Sequence, residues 1–366
     1  MVSLSLGASF LSVMTTILYI ILALVVLLLM ITIHEFGHYT FGKWLGFKIN
    51  EFSIGFGKTI FSKKRKNGEV FSIRLIPLGG YCAFAGEDED VKSPDDFNNK
   101  PCWKRIIVLL GGVTFNFLSA IIFAFILLVS FGYDIPRVEN AEFNQSYVNE
   151  YNLTVPESEQ LNPLQNGDVI RKIDGTKISF ITGNTFASLM SKYNVGDKFT
   201  LTVQREGEKE WVTLNMTKFD DGQTEGGVLG VTSKAYRYNF VEALCDCVPL
   251  ACAFAWKVLV FLFMLLTGGV SITDVGGPIT TIGVVAEYSQ INIANLFVFL
   301  PLIAANLAVF NILPIPSLDG SRIVFTIIEW IRKKPINRKV EGYIHLVGLC
   351  ILFAFVIFVD IFNLIW

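Results

Sequence analysis

Charged residues are scarce in this chain: Asp, Glu, Lys and Arg make up 17% of its 366 residues, whereas 52% are hydrophobic. The mean hydropathy of +0.52 is far above that of ordinary soluble domains and excludes that class. The 30 basic and 32 acidic residues nearly balance, so nucleic-acid binding is not indicated. The composition predicts a protein embedded in a lipid bilayer.

Cysteine and histidine are also few. The six cysteines include no C-x-x-C pair with zinc-ribbon spacing, and none lies in the most polar stretch, 133–240, so structural disulfides are not expected there. Of only three histidines, His34 and His38 lie four residues apart, at the end of a segment that has no charged residue before Glu35. This concentration of rare residues directs attention to that segment.

Four hydrophobic stretches are long enough to cross about 30 Å of hydrocarbon as helices. They are approximately 14–36, 104–132, 291–313 and 344–366. A fifth apolar stretch, 258–266, is short and could span only if joined to 241–256, so for 241–290 we predict an interfacial helix and a connecting segment. The sequence therefore predicts a polytopic α-helical membrane protein with about four transmembrane helices.

The distribution of Lys and Arg predicts which side each loop faces. The loops 39–105, with KKRK at 63–66, and 322–339 are both basic, which is typical of cytosolic loops. The region 133–240 is then extracytoplasmic, and one crossing, 291–313, suffices to return to the cytosol. We therefore expect that 241–290 does not cross the membrane.

The motif H-E-x-x-H at 34–38 is typical of zinc-dependent hydrolases. On a helix, the i, i+4 spacing places His34 and His38 on one face about 6 Å apart along the axis, close enough to share one Zn²⁺ ion. Glu35 can then act as general base toward a metal-activated water. The pattern also occurs by chance, but ionisable groups at membrane depth are costly and persist mainly at functional sites.

A catalytic zinc site needs a third protein ligand, and two residues are candidates. His345 lies at the start of the last span, where it could equally be an interfacial or packing histidine. Asp319 follows Pro314 and Pro316, which interrupt the third span near its cytosolic end, on the side predicted for the H-E-x-x-H motif. We favour Asp319 and keep His345 as the alternative.

Motifs along most of the chain resemble the site-2 protease family of intramembrane zinc metalloproteases, and in particular its bacterial RseP/RasP branch with a single PDZ domain. HEFGH at 34–38 and NILPIPSLDG at 311–320 carry the resemblance, and they occur in the family's order with IPLGGYCAFAGEDE at 76–89, GGVTFNFLSA at 111–120 and TGGVSITDVGGPI at 267–279. Ser321 replaces a glycine that often follows Asp-Gly in the family.

The resemblance implies a role for each site residue. It implies His34, His38 and Asp319 as ligands of Zn²⁺ and Glu35 as the catalytic carboxylate. It also implies that Asn116 and Asn311 hydrogen-bond the substrate backbone or shape the site, whereas the residues alone equally allow amides that join packed helices.

Two further regions complete the predicted architecture of four segments, 1–132, 133–240, 241–290 and 291–366. Alternating residues after an Asn67-Gly68 turn predict a β-hairpin at 52–85. The resemblance implies a membrane-associated hairpin, and its exposed edge could bind the substrate as an added strand; a cytosolic hairpin without substrate contact is the alternative. The region 133–240 predicts one small extracytoplasmic α+β domain with a helix at 184–193, and NGDVIRKIDG at 166–175 resembles part of bacterial PDZ domains.

The predicted function is hydrolysis of peptide bonds within or near the transmembrane segments of pre-trimmed, single-span membrane proteins, which would be its partners together with the lipid bilayer. In the branch such substrates include remnants of anti-sigma factors and signal peptides. The branch and the charge pattern predict the bacterial plasma membrane. Two alternatives remain open: a membrane-anchored zinc protease that cuts outside the bilayer, and a non-catalytic scaffold whose PDZ-like domain binds partners.

Overall fold

The computed structural model describes residues 2–87, 93–141, 164–180, 182–218, 229, 232–271 and 275–365. The chain divides into two compact units, 1–124 with 254–366, and 125–253. The helices are α1 Val2–Trp44, α2 Cys102–Ser130, α3 Phe186–Met190, α4 Phe240–Thr267, α5 Pro278–Ile291, α6 Ile293–Ile312, α7 Asp319–Arg332 and α8 Arg338–Ile365. The strands are β1 Ile49–Lys64, β2 Val70–Phe84, β3 Pro136–Asn140, β4 Val169–Ile173, β5 Thr176–Lys177, β6 Lys198–Gln204, β7 Val212–Thr217 and β8 Thr232–Ala235.

Among the described residues, five helices are long and apolar enough to cross a membrane, judged by length and composition. They are Val13–Trp44 of α1, then α2, α4 and α6, and Arg338–Asn363 of α8. Four of them match the predicted spans to within a few residues, except that α1 and α8 extend further toward the predicted cytosolic side. The fifth, α4, is a continuous helix of 28 residues with Pro249 inside it, longer than the interfacial helix expected there. That α4 does not cross the bilayer stays a prediction.

The β-hairpin follows α1 directly, as the sequence predicts, and β1 and β2 are antiparallel. Both strands bend, so that the first half of β1 has partners on two sides: Ser53 pairs with Tyr81 and with Ser72. Ser72 pairs in turn with Ser62 near the end of β1. The hairpin is thus a sheet four segments wide, with 80–84 along one edge and 59–64 along the other.

An apolar cluster fixes this sheet to α2. Phe47, Ile49 and Phe84 from the base of the sheet pack with Phe97, Val108 and Leu109, and all six side chains are buried. Burial of each large apolar side chain contributes on the order of 1.5–3 kcal/mol. The cluster holds the α2 turn at Val108 next to the hairpin and thereby positions a backbone carbonyl of the site described below.

The second unit contains an antiparallel sheet of small extent. Its strand order is β7-β6-β4-β3-β8, and β5 pairs with β4. The inward residues Ile170, Ile173, Leu201 and Val203 are 0–1% exposed, and α3 lies within the predicted helix 184–193. A small α+β unit was therefore correctly expected here. The assignment as a PDZ domain remains a prediction, and part of its predicted region, 142–163, lies outside the described residues.

Two helices were not foreseen from the sequence. The 14-residue helix α5 lies between α4 and α6, where only a connecting segment was expected. The 14-residue helix α7 begins at Asp319 itself, within a region assigned to loop. Its apolar and polar residues segregate strongly, as is typical of a helix at a polar–apolar boundary.

Candidate metal centre

Helix α1 supplies two of the three groups of the site. It continues without interruption through the H-E-x-x-H motif to Trp44, so His34 and His38 lie one turn apart on the same face. Their Nε2 atoms are 3.2 Å apart, and the two rings meet edge to face with centroids 4.8 Å apart. Both residues are less than a tenth exposed. The predicted pair of imidazoles therefore points into the protein toward one place.

Asp319 supplies the third group. Helix α6 ends at Ile312, where the sequence predicted that Pro314 would interrupt it, and the chain then turns into α7, whose first residue is Asp319. Oδ2 of Asp319 lies 3.0 Å from Nε2 of His34 and 3.3 Å from Nε2 of His38. The structure thus brings together the three residues that the sequence proposed as ligands.

The arrangement fits a metal ion. One donor atom of each residue lies within 4.8 Å of the other two, and Oδ2 of Asp319 is buried without a hydrogen-bond partner among the described residues. Burial raises the pKa of Asp319, but the imidazoles of His38 and His34 outweigh it and keep the pKa below its usual range. Two imidazoles and a carboxylate are a common donor set of catalytic zinc sites, which leave a further position open for water.

Groups behind the imidazoles orient them toward this point. Nδ1 of His38 lies 2.9 Å from the carbonyl oxygen of Val108 and, as donor, leaves Nε2 with its lone pair. The fully buried amide of Asn116 on α2 lies 3.1 Å from Nδ1 of His34, and its Oδ1 has no partner among the described residues. Rotation of that amide by 180° lets Oδ1 accept the Nδ1 proton and frees Nε2 of His34 for a cation. Contact of Asn116 with substrate stays a prediction.

Glu35 lies beside the three ligands and is not one of them. It is half-buried and faces the edge segment 80–84 of the sheet, where a Cβ on Gly80 would lie 3.6 Å from its Cγ. A carboxylate next to the cation site but outside its donor set is available to hold a proton. This is the position that a general base requires.

The site depends on a close approach of α1 and α2 through glycine. A Cβ on Gly112 would overlap the ring of His34 and come within 2.6 Å of Nε2 of His38. A Cβ on Gly37 of α1 would likewise overlap the backbone of Gly111 on α2. Gly111 and Gly112 belong to the motif GGVTFNFLSA, one of those that resemble the family. The physical reason for Gly112 is that no side chain fits between α2 and the imidazoles.

His345, the alternative ligand, has a different position. Its Nδ1 accepts a hydrogen bond of 2.9 Å from the backbone N–H of Ser317, and its ring packs edge-on against Phe325. Ser317 has a φ of +79°, which a residue with a side chain rarely adopts, two positions before Asp319. His345 is therefore not in the donor set and instead holds the turn that carries Asp319. The buried hydroxyl of Ser321, at the position of the family's second glycine, donates to the carbonyl of Leu318 on the same turn.

Asn311 is half-buried on the last turn of α6. Among the described residues its amide has no hydrogen-bond partner, and the structure does not choose between the two roles predicted for it. The predicted contact with a substrate backbone stays a prediction.

The sequence matches known proteins over nearly its whole length. The model of peptidase family M50 matches residues 22–355. A protein of Fusobacterium nucleatum named "Putative zinc metalloprotease" is 31% identical over 351 residues, covering 94% of this chain and 98% of the relative. Proteins with the same name from Nostoc sp. and Bartonella henselae are 30% and 28% identical, covering 93% and 92% of this chain and 94% and 98% of the relatives. The chain therefore belongs to peptidase family M50, the site-2 protease family that its motifs predict.

Proposed function

We propose that this protein is an intramembrane zinc metalloprotease that hydrolyses peptide bonds within or near the transmembrane segments of single-span membrane proteins. The observation that carries the proposal is the convergence of His34, His38 and Asp319, with Glu35 beside them, inside a helical unit apolar enough to lie in a bilayer. The names of the relatives support Zn²⁺ as the metal.

Each residue of the site has a chemical role in this reaction. A bound zinc ion would polarise the scissile carbonyl and acidify a water molecule. His34, His38 and Asp319 would hold the ion, and the carbonyl of Val108 would keep His38 in the tautomer that binds it. Glu35 would take the proton of the attacking water and return it to the leaving amine, which typically contributes a factor of about 10² to 10⁴ in rate.

The edge segment 80–84 of the hairpin sheet could bind the unwound substrate as an added strand. A transmembrane helix has all its amides bonded internally and must unwind before attack. One side of the segment 80–84 pairs with 49–54, and Gly80 lies next to Glu35. A peptide added along the other side of 80–84 would pass the carboxylate that moves the proton.

The proposal extends to the membrane in which the protein lies and to the state of its substrates. We place the protein in the bacterial plasma membrane, with the site toward the cytosol and the PDZ-like domain outside, from the basic loops and the RseP/RasP-like motifs. In that branch the substrates are membrane proteins already trimmed by another protease. We propose that the folded extracytoplasmic domain selects such remnants by size.

Substitution of Glu35 by Gln tests the proposal. The purified Glu35→Gln protein is expected to bind about one zinc ion and to cut a single-span model substrate about 10² to 10⁴ times more slowly than the parent. Metal content is measured by elemental analysis, and the cleaved bond is located by mass spectrometry. Asp319→Asn is expected to lose the metal as well as the activity.

Controls separate the alternatives. Glu206→Gln makes the same chemical change at an exposed residue of the second unit and should leave cleavage unchanged. Cleavage only outside the apolar segment of the substrate would support the membrane-anchored protease that cuts in water. Equal behaviour of parent and Glu35→Gln would support the non-catalytic scaffold and refute the proposal.

A further inference from the structure

An open groove of about 910 Å³ lies where α2 begins and where α7 turns into α8. All its lining residues belong to the first unit, in 98–105 and 329–339. The first residues of α2 and α8, Cys102 and Arg338, both line it. By length and composition α2 and α8 are candidate membrane spans, so we expect the groove to lie where these helices leave the bilayer.

The lining of the groove is strongly basic. It contains six cationic residues and a single acidic residue, Glu329. The cations are Lys100, Arg105, Lys333, Lys334, Arg338 and Lys339. Lys100 lies 3.3 Å from Asp95, but Lys333, Lys334 and Lys339 are exposed and form no ion pair with any residue that the structure describes. The groove thus presents positive charge that the described part of the chain does not neutralise.

Buried ion pairs make one wall of the groove rigid. Glu329 is 5% exposed, and its Oε2 accepts from Arg105 at 2.6 Å. Its Oε1 accepts from Arg338 at 2.6 Å and from the backbone N–H of Ile336 at 2.8 Å. The carboxylate thus ties together α2, α7 and α8 and fixes the turn between α7 and α8. The acid is therefore fully engaged. Nε of Arg105, itself buried, has no partner among the described residues.

Backbone groups add to the positive potential. The N-termini of α2 and α8, helices of 29 and 28 residues, both border the groove, and helix N-termini favour anions. Exposed Trp330 lines the groove, and exposed Trp103 is next to Cys102 in sequence. Tryptophan is enriched at the boundary between hydrocarbon and headgroups. Charge and position together select a ligand that is anionic and belongs to the membrane.

We propose that this groove binds the headgroup of an anionic phospholipid. Basic pockets between spanning helices are suited to phosphate headgroups, to which each nearby Lys or Arg adds attraction. The volume far exceeds the roughly 30 Å³ of a water molecule, so it accommodates a complete headgroup better than a bare ion. A lipid seated here would contact α7, which carries Asp319 at its other end. The proposal does not depend on the proposed protease activity.

Lipid binding to the full-length protein tests the proposal. Native mass spectrometry of the protein with phosphatidylglycerol or phosphatidylcholine at equal concentrations should show at least about tenfold tighter binding of the anionic lipid. The triple variant Lys333→Gln, Lys334→Gln, Lys339→Gln should lose about tenfold or more of that affinity and keep its affinity for phosphatidylcholine. Its zinc content should equal that of the parent, which shows that it is folded.

A matched variant controls for general surface charge. Lys63→Gln, Lys64→Gln, Lys66→Gln removes the same charge from exposed residues of the hairpin and should bind phosphatidylglycerol within about twofold of the parent. Equal loss in both variants would overturn the proposal, because it would reveal only diffuse attraction. Complete displacement of the lipid by millimolar inorganic phosphate would overturn the proposal in favour of a site for free anions. Equal binding of both lipids would also overturn it, because the groove would then not select anionic headgroups.

Discussion

At the scale of single residues, the groups that bind the metal are held in place by partners on other elements of the first unit. His34, Glu35 and His38 follow from a local spacing that a helix converts directly into geometry. The supports come from elsewhere: the carbonyl of Val108 behind His38, and His345 behind the turn before Asp319. No spacing rule connects these partners, because each depends on which helices pack together.

His345 provides a prediction at this scale. Asn places its Oδ1 near the position of Nδ1 of His and can still accept the N–H of Ser317, whereas Leu leaves that group without a partner. We expect His345→Leu to weaken zinc binding by about 10- to 100-fold and His345→Asn to keep most of it. Competition with a chelator measures the affinity. Equal losses in the two variants would show that His345 acts only through packing.

At the scale of secondary structure elements, the site depends on how tightly two helices approach. Helices α1 and α2 meet at Gly37, Gly111 and Gly112, and the last of these lies against both imidazoles. Small residues allow such contact between membrane helices, where packing and not water exclusion drives association. The hairpin shows a similar effect: its bends let β1 pair on two sides, which alternation in sequence did not reveal.

The close approach predicts the effect of a single methyl group. Gly112→Ala must push the imidazoles or α2 aside, and overpacking of this kind commonly costs about 1–3 kcal/mol. We expect zinc affinity to fall about tenfold or more, as measured by metal titration. Gly283→Ala, on α5, meets no atom within 4 Å of the added Cβ and is the matched control. Normal zinc binding by Gly112→Ala would contradict the packing argument.

At the scale of the whole molecule, hydropathy gave most of the membrane organisation. Four predicted spans correspond to long apolar helices, and the polar region 133–240 largely coincides with the second unit, 125–253. At 241–290 the helices α4 and α5 lie where an interfacial helix and a connecting segment were predicted, and that α4 does not cross the bilayer stays a prediction. The reason is that a broken apolar run has the same composition whether it spans, lies flat or packs against other helices.

The second unit supports a prediction about selectivity. If the folded domain excludes substrates by size, deletion of 137–220 should raise cleavage of an untrimmed substrate to the rate of the trimmed one. Cleavage of the trimmed substrate should not change, and both rates can be followed in reconstituted vesicles. Unchanged selectivity after the deletion would remove size exclusion as the role of this domain.

The sequence by itself determined the class of protein, the approximate spans, the pair of histidines His34 and His38, and Glu35 beside that pair. These are local properties, fixed by composition and by the period of a helix. Only the tertiary structure decided between Asp319 and His345, since their distance from the imidazoles depends on how α6 ends and how α7 and α8 pack. It also gathered the basic residues of two distant segments into one groove, because charges that are far apart in the chain become a site only when helices bring them together.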